Sequence, residues 1–166
     1  LWLIGWQVSD WISAWPRSPR LAALVQETLR PAAVLPDRTW GLDHGTWAVL
    51  RRLFPAADIP VVQLSLDRTQ GADYHYALGG TLQSLRRRGI LILGSGNVVH
   101  NLYRIVWQDT AFDWATEFDE TVKRLILEGD HDALIRYRDL GPTVRQAIPT
   151  NEHFLPLLYV LSLRQG

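Results

Sequence analysis

Cysteine and methionine are both absent from this chain of 166 residues. Without cysteine there is no disulfide, no thiolate metal site and no thiol nucleophile. The net charge is zero, from 17 basic and 17 acidic residues, so charge gives no reason to expect nucleic acid or an anionic membrane as a partner. No apolar run reaches the roughly 20 residues that cross a bilayer. The start lacks a basic stretch and carries Asp10 early, so no secretory signal is recognisable and we expect a soluble cytoplasmic protein.

The hydrophobic fraction of 47% and the charged fraction of 20% are typical of a globular domain with a buried core. We therefore treat residues 1–166 as a single domain. Its start is atypical, because residues 1–16 hold four of the eight tryptophans. An amphipathic segment packed on the core and a missing upstream region would both explain this pattern. Because the first residue is Leu1 and no methionine occurs, we expect a processed chain or a fragment.

Two apolar, β-branched runs at 59–67 and 90–95 predict strands, and the stretch 71–89 between them predicts a helix weakened by Gly79 and Gly80. A strand, a helix and a strand in this order form a βαβ unit, whose strands are neighbours and parallel. Both runs are almost continuously apolar, which is typical of a sheet covered on both faces. The predicted fold class is therefore α/β, with a mostly parallel central sheet and helices on both faces.

Helix caps and apolar periodicity predict the remaining elements. Ser18, Asp43 and Thr150 are candidate N-caps because their side-chain oxygens can accept hydrogen bonds from the first backbone N–H groups of a helix. Pro156 falls inside the last predicted helix and should bend it. These further helices are predicted at 18–30, 41–55, 112–130, 131–141 and 149–163, and a short strand is predicted at 31–36.

The chain has five histidines, and three of them share a setting. His44, His100 and His153 each fall in the first turn of a predicted helix. The partial positive charge at a helix N-terminus disfavours imidazolium, so a histidine there tends to stay neutral at pH 7. Neutral imidazole is the form of a metal ligand or a general base. A single histidine at a helix start is nevertheless more often a capping or core residue, and we assign no role to His75 or His131.

The stretch GSGNVVH at 94–100 follows directly on the second predicted strand. We interpret its glycines as a tight turn, Asn97 as a helix cap and His100 as a side chain that faces a crevice. Loops at the carboxyl ends of strands line the ligand crevice of open α/β sheets, which is why this position favours function. The glycine spacing matches neither a dinucleotide fingerprint nor a nucleophile elbow.

Four motifs together resemble the class III extradiol ring-cleavage dioxygenases, and within them the 4,5-DOPA dioxygenase-like subgroup. The resemblance covers about residues 17–163, with the motifs in the family's order: WGLDHGTWAVL, DIPVVQLSLD, GILILGSGNVVHNL and PTNEHFLPLLYVL. It implies an α/β catalytic domain with a mostly parallel sheet. It also implies extradiol cleavage of catechol-type aromatic rings with O₂ and a non-haem metal, Fe²⁺ or Zn²⁺.

The resemblance also assigns roles to the three histidines. His153, in NEHFLP, matches a metal ligand; His100, in GNVVHN, matches the acid–base histidine; and His44, in LDHG, matches a histidine that lines the substrate site. Two further ligand motifs of the family, a GHGSP-like turn and an SAHW-like strand end, do not occur, and neither does the family's C-terminal strand region. We therefore expect a partial catalytic domain, truncated at both ends, with an incomplete metal-ligand set.

Other functions stay open beside the dioxygenase. A truncated chain could be catalytically incompetent, or it could be an α/β domain that binds small aromatic molecules, and a plain structural domain with capping histidines is a third interpretation. Each of these agrees with an incomplete ligand set. The dioxygenase interpretation predicts that His100 and His153 converge within roughly 10 Å, with His44 at the rim, because both must reach one catechol. The oligomeric state is not indicated by the sequence.

Overall fold

A computed structural model describes residues 15–16, 18–37, 39 and 41–163. The Trp-rich start is therefore outside the described residues except for Trp15, which is buried, and Pro16. Within the described part, none of the helices is both long and apolar enough for a bilayer crossing. The α-helices of this part are α1 (Pro19–Thr28), α2 (His44–Leu53), α3 (Ala72–Thr81), α4 (Gln83–Arg86), α5 (Asp113–Glu128), α6 (His131–Ile135), α7 (Val144–Ala147) and α8 (Leu155–Ser162).

The predicted mostly parallel central sheet is wrong. Among the described residues no strand forms, and a single bridge at Val61 is the only β-type pairing. The runs 31–36, 59–67 and 90–95 are not strands, and no backbone hydrogen bond of this part joins 59–67 to 90–95. The predicted pair of neighbouring parallel strands within 59–95 is therefore wrong as well.

The apolar runs have another physical explanation. Leu64, Leu66, Ile90 and Ile92 pack on a helical core, whereas Leu91 is 69% exposed. These segments therefore bury one side against helices instead of both faces within a sheet. An apolar run indicates that its side chains are buried. A strand also needs a neighbouring backbone about 4.8 Å away that accepts and donates hydrogen bonds.

The helices with local caps are confirmed. Ser18 Oγ accepts a hydrogen bond from Leu21 N (3.1 Å) at the start of α1, and Asp43 Oδ1 accepts one from Thr46 N (2.8 Å) at the start of α2. The single helix predicted over 71–89 is divided, because α3 ends at Thr81 and α4 begins after it. Short polar side chains that satisfy the first free N–H groups make helix starts a local property of the sequence.

Two predicted helix starts are wrong, and both concern the candidate histidines. Thr150 caps no helix; its hydroxyl bonds Glu152 Oε1 (2.8 Å), and α8 begins only at Leu155. Pro156 therefore stands in the first turn, where a missing N–H has no cost, so no bend is required. Asn97 caps no helix either, because 94–100 is irregular chain followed by a short 3₁₀ turn, Leu102–Arg104.

The core consists of two clusters that meet along α8. The larger one combines α5 with α8, including the fully buried Phe118, Leu155 and Leu158. The smaller one surrounds Tyr159 and includes Leu29 and residues of α3 and α4. Because α8 contributes to both clusters, it is buried on most of its sides, and its first residue, Leu155, is fully buried.

Candidate active site

His100 and His153 converge although they are distant in sequence. Their ring centroids are 3.5 Å apart and their planes differ by 26°, so the two imidazoles stack. The prediction that the two side chains lie within one substrate's width is confirmed. A small molecule that contacts one imidazole here can also contact the other.

Backbone hydrogen bonds place the two histidines side by side. His100 N donates to Ala147 O (2.8 Å), and Asn97 N donates to His153 O (2.9 Å). The side chain of Asn101 adds a third bond, from Nδ2 to Gln146 O (2.7 Å). The segment that carries His100 is thus bonded to the last two residues of α7 and to the loop between α7 and α8.

The glycines of GSGNVVH serve close packing and do not form the tight turn that we predicted. A Cβ on Gly94 would lie 2.6 Å from Pro156 O, and a Cβ on Gly96 would collide with His153 O. Neither glycine has a positive φ, so backbone conformation does not require glycine here. Only the absence of a side chain allows 94–96 to lie directly against the start of α8.

His44 is the first residue of α2, and α2 begins beside the same glycine segment. Ser95 Oγ donates to Gly45 O (3.3 Å). The His44 ring is exposed and makes an edge-to-face contact with Trp47, with centroids 5.1 Å apart. The start of α2 is therefore tied to the segment that reaches His153, which agrees with the predicted place of His44 at the rim.

Burial dominates the electrostatics of His153. Burial lowers the pKa of the His153 imidazole below its ordinary value, and the neighbouring His100 lowers it further. The carboxylates of Glu152 and Asp43 act in the opposite direction but do not reverse the shift. His153 is therefore neutral at pH 7, as predicted, but the cause is burial and not a helix N-terminus, since α8 begins after it.

The described residues alone do not complete a metal site. Within 15–16, 18–37, 39 and 41–163, no three His, Cys, Asp or Glu side chains are grouped as a metal would require. His153 stays the candidate ligand of this part of the chain.

Sequence analysis missed one residue that organises this region. Gln63 makes two hydrogen bonds with Asp43. Gln63 Nε2 donates to Asp43 Oδ2 (2.7 Å), and Gln63 Oε1 accepts from Asp43 N (2.9 Å). The available signal was a lone amide inside the apolar run IPVVQL. His75 and His131, to which we assigned no role, bond Tyr159 (3.0 Å) and Tyr76 (2.6 Å) within the helical packing.

The sequence of residues 14–166 matches the profile of the family described as the catalytic LigB subunit of aromatic ring-opening dioxygenase. The chain belongs to this LigB family. Among its relatives, the 4,5-DOPA dioxygenase extradiol of Escherichia coli (strain K12) is 45% identical over 158 residues, which cover 91% of this chain and 58% of the relative. The protein of the same name from Beta vulgaris is 36% identical over 146 residues, which cover 86% of this chain and 54% of the relative.

One solved crystal structure has a similar chain path. The crystal structure of an uncharacterized protein from Escherichia coli K12 aligns with a TM-score of 0.84 and 41% identity, covering 92% of this chain and 64% of that chain. The chain thus spans between half and two-thirds of the length of these relatives. Membership in the extradiol dioxygenase group is confirmed, while the roles of His44, His100 and His153 stay predictions.

Proposed function

We propose that the protein containing this chain opens catechol-type aromatic rings by extradiol cleavage with O₂. The single observation that carries the proposal is the stacked pair of His100 and His153, 3.5 Å apart, in a member of the LigB family. The relatives named 4,5-DOPA dioxygenase extradiol support a catechol bearing an amino-acid side chain as the substrate class.

His153 is the proposed metal ligand of this chain, with Fe²⁺ or Zn²⁺ as the metal. A bound metal of this kind would hold the catecholate and O₂ next to each other. The depressed pKa of His153 keeps its imidazole neutral, which is the form that binds a metal. Because the described residues supply no group of three ligands, the metal would need further ligands from elsewhere.

His100 is the proposed acid–base residue. Its backbone is held by Ala147 O (2.8 Å), and its ring lies against His153, so it reaches a molecule that contacts His153. In this position His100 accepts the proton of a catechol hydroxyl and returns it during ring opening. His44, at the exposed start of α2, would contact the substrate from the rim.

Two substitutions test these roles in the full protein loaded with its metal. His100→Ala should remove most ring cleavage, by about 10²–10⁴-fold, while metal content stays unchanged because the ligand is intact. His153→Ala should lose the metal as well. O₂ uptake and product absorbance measure ring opening, and elemental analysis measures the metal content.

His131→Ala is the matched control, since His131 lies outside the stacked pair and bonds Tyr76. It should keep both the metal and the cleavage, with any cost confined to stability. Retention of full cleavage by His100→Ala would refute the acid–base role. Binding of catechol without any O₂ uptake in the unaltered protein would favour the alternative of a small-molecule-binding domain.

A further inference from the structure

Asp43 and Gln63 are joined by two hydrogen bonds that fix the start of α2. Asp43 N donates to Gln63 Oε1 (2.9 Å), and Gln63 Nε2 donates to Asp43 Oδ2 (2.7 Å). The other carboxylate oxygen, Oδ1, accepts from Thr46 N (2.8 Å) and caps the helix. One amide thus binds both the backbone and the side chain of Asp43, which prevents rotation of that residue.

A second bond holds the chain on the other side of His44. Ser95 Oγ donates to Gly45 O (3.3 Å), and Ser95 lies between the two glycines that pack against the start of α8. His44 therefore stands between two anchored neighbours, Asp43 and Gly45. The orientation of the exposed His44 ring depends on these bonds and on its contact with Trp47 (5.1 Å).

We infer that Gln63 is a positioning residue for His44, acting through its two bonds to Asp43. A helix cap alone does not require Gln63, because the capping bond to Thr46 uses the other carboxylate oxygen. The Gln63 bonds hold Asp43 to the segment 59–67, and so fix the backbone from which the exposed His44 side chain extends. The effect on substrate binding rests on the proposed function; the effect on the His44 ring does not.

Gln63→Glu is the sharpest test, because it keeps the shape of the side chain. The new carboxylate still accepts from Asp43 N but places a second acceptor against Asp43 Oδ2, so one bond becomes a repulsion. The double variant Asp43→Asn with Gln63→Glu restores all three bonds: the new amide caps Thr46 N with its oxygen and donates to the new carboxylate with its nitrogen. Gln63→Ala removes both bonds without adding charge and serves if Gln63→Glu folds poorly.

The first readout is the NMR signal of the His44 ring, whose protons feel the ring current of Trp47. Gln63→Glu should shift these signals towards those of a free histidine, and the double variant should return them. The second readout is kinetic. KM should rise about tenfold or more. Tenfold corresponds to about 1.4 kcal/mol, which is the size expected for loss of one charge-assisted hydrogen bond. The values of kcat and of metal content should change less than about twofold.

Gln26→Glu is the matched control. It removes a hydrogen bond that is also donated by a glutamine side-chain amide, from Gln26 Nε2 on α1 to Val34 O (2.8 Å). It should leave the His44 signals and KM unchanged.

Unaltered His44 signals in both Gln63 variants, failure of the double variant to restore them, or an equal shift in Gln26→Glu would each overturn the inference. If the unaltered protein cleaves no catechol while the His44 signals respond as expected, the proposed function fails and the positioning role stands.

Discussion

The change Gly79→Ala tests the packing of α3 against α8, which holds the helix that follows His153. A Cβ at Gly79 would lie 2.5 Å from Ser162 Oγ and 2.7 Å from Tyr159 Cα, both on α8. The backbone of α8 cannot yield without shifting the core. Gly80 is the adjacent residue of the same helix, and a Cβ there meets nothing within 4 Å.

The magnitude follows from two opposing contributions. Alanine in place of glycine inside a helix gains about 1 kcal/mol at either position. At Gly79 the overpacking costs about 1–3 kcal/mol, and the smaller values apply only if the neighbours relax. Because Tyr159 presents backbone atoms here, we expect the larger cost, and therefore a net loss of about 1–2 kcal/mol for Gly79→Ala and a gain of up to about 1 kcal/mol for Gly80→Ala.

Thermal unfolding followed by circular dichroism measures both variants. For a chain of this size each kcal/mol shifts Tm by about 2–4 °C, so Tm should fall for Gly79→Ala and rise for Gly80→Ala. The opposite signs at neighbouring positions are the decisive result. Equal shifts in Tm would refute the close approach of α3 to α8.

Three further predictions concern other contacts. Burial lowers the pKa of His75 below its ordinary value of 6.5, so below pH 6.5 the unfolded chain binds a proton more readily than the folded chain does. The free energy of unfolding should therefore fall as the pH drops from 6.5 to the pKa of the folded state, and His75→Gln should reduce this pH dependence in urea titrations. Burial raises the pKa of Tyr159 to about 12, so stability should fall as pH rises above about 10, and a Tyr159→Phe variant with the same alkaline loss would contradict this. Gly96→Ala should push the chain away from His153 O and weaken the 2.9 Å hydrogen bond from Asn97 N to His153 O, which should lower the free energy of unfolding by about 1–3 kcal/mol. An unchanged urea midpoint would show that Gly96 does not contact His153 O.

Local chemistry was predictable from the sequence. The caps at Ser18 and Asp43 were predicted correctly, because a cap needs only a side-chain oxygen and the next few N–H groups. The left-handed glycine that ends α5, Gly129 (φ 72°), follows the same local logic. The family was also predictable, since its motifs are short stretches in a definite order.

The sheet and two helix starts were not predictable, because they depend on partners distant in sequence. The run at 90–95 is apolar because Ile90 and Ile92 pack on helices, and its pattern carries no information on which backbone lies beside it. Thr150 has the side chain of a cap, yet no helix begins there, and His153 O accepts a hydrogen bond from the remote Asn97 N (2.9 Å) instead of from a helical N–H group. Local propensity was overruled by tertiary packing at both places.

By itself the sequence determined the three motifs on which the proposed roles of His44, His100 and His153 rest, the absence of any thiol, and the helix that begins at His44. Only the tertiary structure decided that His100 and His153 stack, because this contact needs the close approach of Gly96 to His153 O and two backbone bonds between remote segments. Gln63 likewise acquires its place only when 59–67 lies beside α2. Side-chain identity is a property of the chain, whereas the distance between two side chains is a property of its packing.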